Sequence, residues 1–287
     1  MEVKETHIVP KLKNPIRFQE YAVGVFKTIP TKSGIKKVIK KKLIFIDNCV
    51  ATTAQFILGG EKITLFQSEK PSDFKRLTFD LEVVFEDDHL AIVNKPAGIL
   101  ISGNKFKTID NALQQNLQKS TQLDAVRPRP AHRLDYPTTG LLLIGKTSKC
   151  ILSLNKLFEN KEILKTYYAI TIGKMEASGS INVLIDEKIA TTDYVVLENV
   201  KSDRFAFLNL VKLSPKTGRR HQLRKHLTAL GNPILGDKEY GKEGFILKGK
   251  GLYLHAGILE FTHPFTKQKM SIEKELPNKF IKIFSSC

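Results

Sequence analysis

The segment from Ala131 to Lys146, AHRLDYPTTGLLLIGK, constrains this chain more than any other. An imidazole, a guanidinium and a carboxylate stand within four residues, and an unbroken aliphatic run follows. Leu141 to Ile144 is too apolar to lie anywhere but inside, and Pro137 to Gly140 breaks the chain just ahead of it. The carboxylate of Asp135 is therefore held at the mouth of a buried strand. Partial desolvation strengthens its field there and makes it costly without a partner, so a cation has to come from elsewhere in the chain.

One source is TGRRHQLRKHLTALGNPILGDKEYG. Leu223, Leu227 and Leu230 recur at i, i+4 and i+7, which predicts a helix docked by that face, with Gly231 and Pro233 ending it. His221, Arg224, Lys225 and Thr228 fall on another face. Arg224 would offer a planar fork to a carboxylate, and Arg219, Arg220 and Lys225 would meet phosphates. Helix periodicity does not say which arginine meets Asp135. A third element, LKTYYAITIG, alternates as a strand from Leu164 to Gly173 and puts Lys165 and Tyr167 on one face and Tyr168 on the other. A tyrosine so placed would pack, stack on a base or handle a proton.

The rest of the chain bears on what these groups act upon. Its 287 residues carry 46 Lys and Arg against 29 Asp and Glu, a formal charge of +17, which attracts polyanions such as phosphate backbones. In TKSGIKKVIKKKLIFIDNCV, Lys32, Lys36, Lys37, Lys40, Lys41 and Lys42 surround Ile35, Val38 and Ile39. The three apolar residues share one helical face, which predicts a short helix docked on one side and basic on the other. Two strand candidates follow, tied to the turns Asp47-Asn48 and Gly59-Gly60.

FQSEKPSDFKRL, Phe66 to Leu77, is polar and proline-containing and reads as a linker between domains spanning residues 1–68 and 78–287. In the second part, LEVVFEDDHLAIVNKPAGIL reads as two strands about an Asp87-Asp88 turn, and Thr108 or Asp110 caps a helix in TIDNALQQNL. Strands and helices then alternate without internal repeat, which is an α+β domain.

Cys49, Cys150 and Cys287 are odd in number and widely spaced, and read as reduced thiols in an intracellular protein. No apolar leader and no segment of membrane-spanning length is seen, so neither export nor a membrane is expected. There is no G-x-x-x-x-G-K-[ST], no G-x-G-x-x-G and no metal-ligand cluster, so no nucleotide cofactor and no metal is expected.

Taken in order, VNKPAG, HRLDYPTTGLLLIGK, KTYYA, GRRHQLRKHLTALGNPILGDKEYG and LYLHAGILEFTHPF resemble the RluA-type family of RNA pseudouridine synthases, from about Val83 to Phe280. Thr139 stands where many members have Ser, and Leu223 where many have Ile. The lysine-rich helix, with IDN and GEKI after it, partly resembles the S4 RNA-binding module. The resemblance implies a pseudouridine synthase fold, a mixed and largely antiparallel central sheet flanked by helices, beside a small S4-like α/β domain. It implies an isomerase that breaks the bond between ribose C1′ and uracil N1, turns the base and rejoins it through C5, in structured RNA and in ribosomal RNA ahead of transfer RNA. Nothing is oxidised, reduced or hydrolysed, so no cofactor is implied.

By motif position, Asp135 is the essential carboxylate, either a nucleophile toward sugar or base or the base that starts elimination at C2′. Arg224 is its cationic partner, and Tyr167 stacks on the uracil and helps remove the C5 proton. Arg133 fills the space an everted uracil leaves, with His132 positioning it or touching a phosphate. Arg219, Arg220 and His221 are expected to contact RNA, together with Lys36, Lys37, Lys40 and Lys41 of the basic helix. A cytoplasmic monomer is expected. Two other readings stay open: an RNA-binding module without turnover, and a metal-free ribonuclease using His132 and His221 as acid and base.

Overall fold

The computed structural model describes residues 2–67, 77–247 and 249–284. Most of the expected linker, residues 68–76, and Cys287 lie outside the described residues. The chain divides into two compact units: residues 2–67 with 119–127 and 146–149, and residues 77–118 with 128–145 and 150–284.

In the first unit the chain forms β1 (Val3–Ile8), β2 (Ile16–Arg17), α1 (Phe18–Tyr21), α2 (Lys32–Lys40), β3 (Ile44–Ile46), β4 (Cys49–Val50), β5 (Phe56–Ile57) and β6 (Lys62–Phe66). Four of the strands make a sheet ordered β1-β6-β3-β4. α2 begins where the Gly34 amide donates to Thr31 Oγ1 at 3.1 Å, a cap that satisfies one of the orphan donors of a helix start. It buries Ile35 and Ile39 against Phe18, Ile44 and Ile63, while Lys36, Lys37, Lys40 and Lys41 are exposed. The two-faced helix is as the spacing predicts. β3 turns into β4 across Asp47 and Asn48 at φ +46° and +67°, the left-handed two-residue turn whose twist suits a hairpin.

The remaining elements are β7 (Glu82–Glu86), β8 (Leu90–Lys95), α3 (Ile109–Asn116), β9 (Ala125–Pro130), β10 (Thr139–Thr147), α4 (Ser148–Glu159), β11 (Leu164–Ile172), β12 (Ser178–Ile181), β13 (Thr192–Ser202), β14 (Ala206–Pro215), α5 (Gln222–Ala229), β15 (Leu254–Thr262), β16 (Lys269–Glu273) and α6 (Asn278–Phe284). Among the described residues they build an α+β arrangement on a ten-stranded sheet, ordered β12-β13-β14-β11-β15-β10-β8-β7, with β16 on β15 and β9 on β10. The ladders along that order are antiparallel except β10 with β15, which run parallel. Of the two cap candidates for α3, Thr108 is the one used, its hydroxyl accepting from the Asn111 amide.

β10 explains its own sequence. Leu141 and Leu143 pack with Leu90, Ile92, Cys150, Leu154 and Phe261 on one face of the sheet. Leu142 and Ile144 pack with Ala91, Val93, Leu113 and Leu227 on the other. A strand covered on both faces has no polar side to alternate with, hence the continuous aliphatic run. All four are fully buried, and at roughly 2 kcal/mol each their burial fixes the strand that Asp135 precedes. Gly140 stands where β10 meets β15 opposite Ala256. At φ +113°, a Cβ there would lie 2.2 Å from the Ala256 carbonyl oxygen, so only glycine permits this approach.

Candidate active site

Asp135 sits in the turn that leads into β10, closed by the Thr138 amide donating to the Asp135 carbonyl at 3.1 Å. The turn is stapled from β8. Gly140 pairs with Lys95 across the sheet, and the Lys95 ammonium donates to the carbonyls of Pro96 at 3.0 Å, Tyr136 at 3.2 Å and Thr138 at 2.7 Å. Lys95 is fully buried. Burial pushes its ammonium down to about 8, against the pull of the Asp135 charge. The VNKPAG motif thus supplies a cation beneath the Asp135 turn, a role its sequence did not announce.

Arg224 arrives from the first turn of α5. Its fork does not close on Asp135. Nε and Nη2 donate to the two oxygens of Asp237 at 2.7 and 2.8 Å, and Nη2 also reaches Glu239 at 3.0 Å. Nη1 is left facing Asp135 at 3.7 Å. The expected pairing therefore holds only at long range, because the planar fork is taken by the buried carboxylate whose geometry it matches. The Glu239 and Tyr240 amides also donate to Asp237, at 3.0 and 3.1 Å. Burial alone would push the Asp237 carboxyl up, but the Arg224 guanidinium and these amides hold it below its usual range. Burial likewise works against the Arg224 charge, and Asp237 first, then Asp135 and Glu239, hold it above its ordinary value. Arg224 is thus a permanent cation shared by three carboxylates.

Tyr167, on β11, lines the same cleft as Lys165, as the strand period required. Burial, and secondarily the Asp135 charge, push its phenol up, so it keeps its proton. Tyr168 is turned away against Gly257. His221 stands ahead of α5 at φ +55°, with no side-chain capping bond. Its Nε2 is 3.7 Å from Asp135 Oδ1, and its Nδ1 is 2.9 Å from the Tyr240 hydroxyl and 3.4 Å from Glu239 Oε1.

His132, expected to position Arg133 or to touch a phosphate, commits its Nε2 to the backbone. Its Nε2 accepts from the Leu143 amide at 3.1 Å, and its ring rests on Phe158. Burial, then the Lys165 charge, push it down to about 3, so it is neutral and braces β10. Arg133, Arg219 and Arg220 are exposed and line a cleft of 740 Å³ that also holds Asp135, Tyr167, His221 and Arg224. Lys225 is engaged by Asp186 at 2.8 Å. Leu230 is 40% exposed, so the apolar face of α5 rests on Leu223 and Leu227. Lys36, Lys37, Lys40 and Lys41 belong to the other unit. The site residues that motif reasoning did not single out are Lys95, Asp237, Glu239 and Tyr240. The last three lie in GDKEYG, where only the loop's fold-back reveals them.

Among the described residues no group of three or more His, Cys, Asp or Glu is placed to hold a metal ion, and no helix is long and apolar enough to cross a membrane. What the cleft offers is a carboxylate between a permanent cation and an imidazole, a protonated phenol, and a rim of arginines. That set can bind a polyanion and deliver one planar group to a carboxylate shielded from bulk water.

Comparisons with known proteins agree with this chemistry. A family model described as RNA pseudouridylate synthase matches residues 89–229. Ribosomal large subunit pseudouridine synthase D of Nitrosomonas europaea is 32% identical over 269 residues, covering 86% of this chain and 78% of the relative. Ribosomal large subunit pseudouridine synthase C of Rickettsia felis is 31% identical over 291 residues, covering 90% of this chain and 92% of the relative. Among solved structures, human RNA pseudouridylate synthase domain containing 4 superposes with a TM-score of 0.57 at 25% identity, covering 70% of this chain and 90% of that one.

Proposed function

We propose that this chain, which belongs to the RNA pseudouridylate synthase family and so isomerises uridine in RNA, takes ribosomal RNA as its substrate. The names of the synthase C and D relatives support that choice, as does a formal charge of +17. The observation that carries the catalytic reading is Asp135 at the cleft floor, with Arg224 Nη1 and His221 Nε2 each 3.7 Å away. A carboxylate so placed faces a cation and an imidazole in a site that excludes most water.

In this reading Asp135 attacks or deprotonates the nucleoside, and Tyr167 stacks on the everted uracil. Arg133 fills the vacated stack, and Arg219 and Arg220 hold phosphates. The N-terminal unit acts as an S4-like RNA clamp through the exposed Lys36, Lys37, Lys40 and Lys41. The enzyme works as a cytoplasmic monomer without a cofactor. A ribonuclease using His132 and His221 is disfavoured, because His132 Nε2 is committed to the Leu143 amide.

Asp135→Asn tests this. It should abolish tritium release from 5-tritiated uridine in ribosomal RNA while RNA binding persists, and retained turnover would remove Asp135 from the mechanism. Mapping carbodiimide-modified uridines in total cellular RNA with and without the gene identifies the substrate. A difference confined to transfer RNA would overturn the ribosomal reading.

A further inference from the structure

We propose that His221 is the proton relay of this site, connecting Asp135 to solvent through Glu239. The inference rests on the isomerase reading and adds a residue to it. Isomerisation moves protons as well as a bond. Once C1′ is joined to C5, the C5–H bond breaks, its electron pair restores the ring double bond, and the proton departs. N1, released from the sugar, gains a proton. One proton leaves and one enters, so a closed cleft needs a path for both.

The neighbours of Asp135 narrow the path. Tyr167 is held as a phenol and cannot accept a proton. Arg224 is a permanent cation. The Lys95 ammonium is fully engaged by three carbonyls. His221 Nε2 remains, 3.7 Å from Asp135 Oδ1, about 1 Å beyond hydrogen-bond length.

The partners on the other side of the ring set its tautomer. Nδ1 faces the Tyr240 hydroxyl at 2.9 Å and Glu239 Oε1 at 3.4 Å. A carboxylate only accepts, and Glu239 stands nearer the ring than Asp135 at 3.7 Å, so the N–H faces Glu239. Nδ1 therefore carries the hydrogen, and Nε2 presents a lone pair toward Asp135. Glu239 is 51% exposed and opens the chain to water. The charged and titratable groups around the ring are Asp135, Glu239, Tyr240 and Arg224. His221 also holds φ +55° as a non-glycine residue without capping α5, the kind of backbone strain that concentrates at functional positions.

The steps balance. The C5 proton passes to Asp135 and then to Nε2. The Nδ1 proton passes to Glu239. Donation of the Nε2 proton to N1, with Glu239 returning its proton to Nδ1, restores the starting tautomer and leaves both carboxylates as they began, with no oxidant or reductant required.

The test uses the full-length chain and whichever RNA the wild type modifies, so the choice of ribosomal RNA is judged separately. His221→Gln should lower kcat about 100-fold, the usual scale of an acid–base group, with a far smaller change in RNA affinity. His221→Gly suits the positive φ and leaves a ring-sized space, so added imidazole should restore tritium release at least tenfold. Nitrogen NMR of the resting enzyme should find hydrogen on Nδ1 of His221. Turnover at the wild-type rate in His221→Gly, a slow variant that imidazole does not restore, or hydrogen on Nε2 in the resting enzyme would each overturn the relay.

Discussion

If Arg224 is positioned by Asp237 rather than by Asp135, then Asp237→Asn should damage both stability and turnover although Asp237 is expected to touch no substrate. Asp237 is 1% and Arg224 5% exposed in their side chains. Removing one member of a buried pair strands the other charge, at a cost of ~3–5 kcal/mol. Arg224 keeps Glu239 at 3.0 Å, but that carboxylate is half exposed and screened by water, so it offsets little. Asparagine can still accept from the Glu239 and Tyr240 amides, which puts the expected loss near the low end, ~3 kcal/mol. Thermal unfolding of the full chain should then shift down by ~6–12 °C, at ~2–4 °C per kcal/mol for a unit of this size. Freed of its bidentate grip, the guanidinium turns toward Asp135, and tritium release should fall. Replacing both partners, Arg224→Met with Asp237→Leu, should recover much of the stability but none of the activity, since well-packed apolar groups substitute for a buried pair. A loss under ~1 kcal/mol for Asp237→Asn, or a double variant no more stable than the single one, would refute the assignment of Asp237 as the anchor.

Three further outcomes follow from the geometry. Gly140→Ala places a Cβ 2.2 Å from the Ala256 carbonyl at a positive φ, so it should cost at least ~2 kcal/mol by strain and overlap; an unchanged melting temperature would show that β10 and β15 do not approach as described. His255 is 1% exposed, and burial pushes it down to about 4. The folded chain refuses a proton that the unfolded chain takes, so this stability is complete above pH ~6.5 and is lost as pH falls toward about 4, ~2 kcal/mol being gone by pH 5. Urea denaturation at pH 7 and pH 5 measures it, and His255→Asn should reduce the difference by ~2 kcal/mol, the share of the buried His132 remaining. Converting Lys36, Lys37, Lys40 and Lys41 to glutamine should reduce the slope of log affinity against log salt by up to ~0.7–0.9 per lost phosphate contact, and an unchanged slope would remove the basic helix from the RNA-binding surface.

What the sequence disclosed and what it withheld divide along a physical line. β10 was legible because burial on both faces writes an unbroken aliphatic run. α2 was legible because one apolar stripe among lysines admits one orientation. The shared face of Lys165 and Tyr167 followed from the period of a strand. Partner choice was not legible. Arg224 and Asp237 are thirteen residues apart in a stretch whose helical part can be read, but the return of GDKEYG toward α5 is set by tertiary packing. Lys95 reaches the Asp135 turn only because the register of β8 against β10 puts it opposite Gly140. His132, next to Asp135's arginine neighbour in sequence, is drawn inward by the unsatisfied amide of Leu143.

The identity of the proposed reacting carboxylate is thus a local property of HRLD, whereas its electrostatic setting is a property of sheet register and one loop. A slip of one residue between β8 and β10 would leave every motif intact in the sequence. It would nonetheless move the Lys95 ammonium away from the three carbonyls that hold the turn. The proposed chemistry is therefore only as secure as the aliphatic strand beneath it, which is why the most apolar segment of the chain adjoins Asp135.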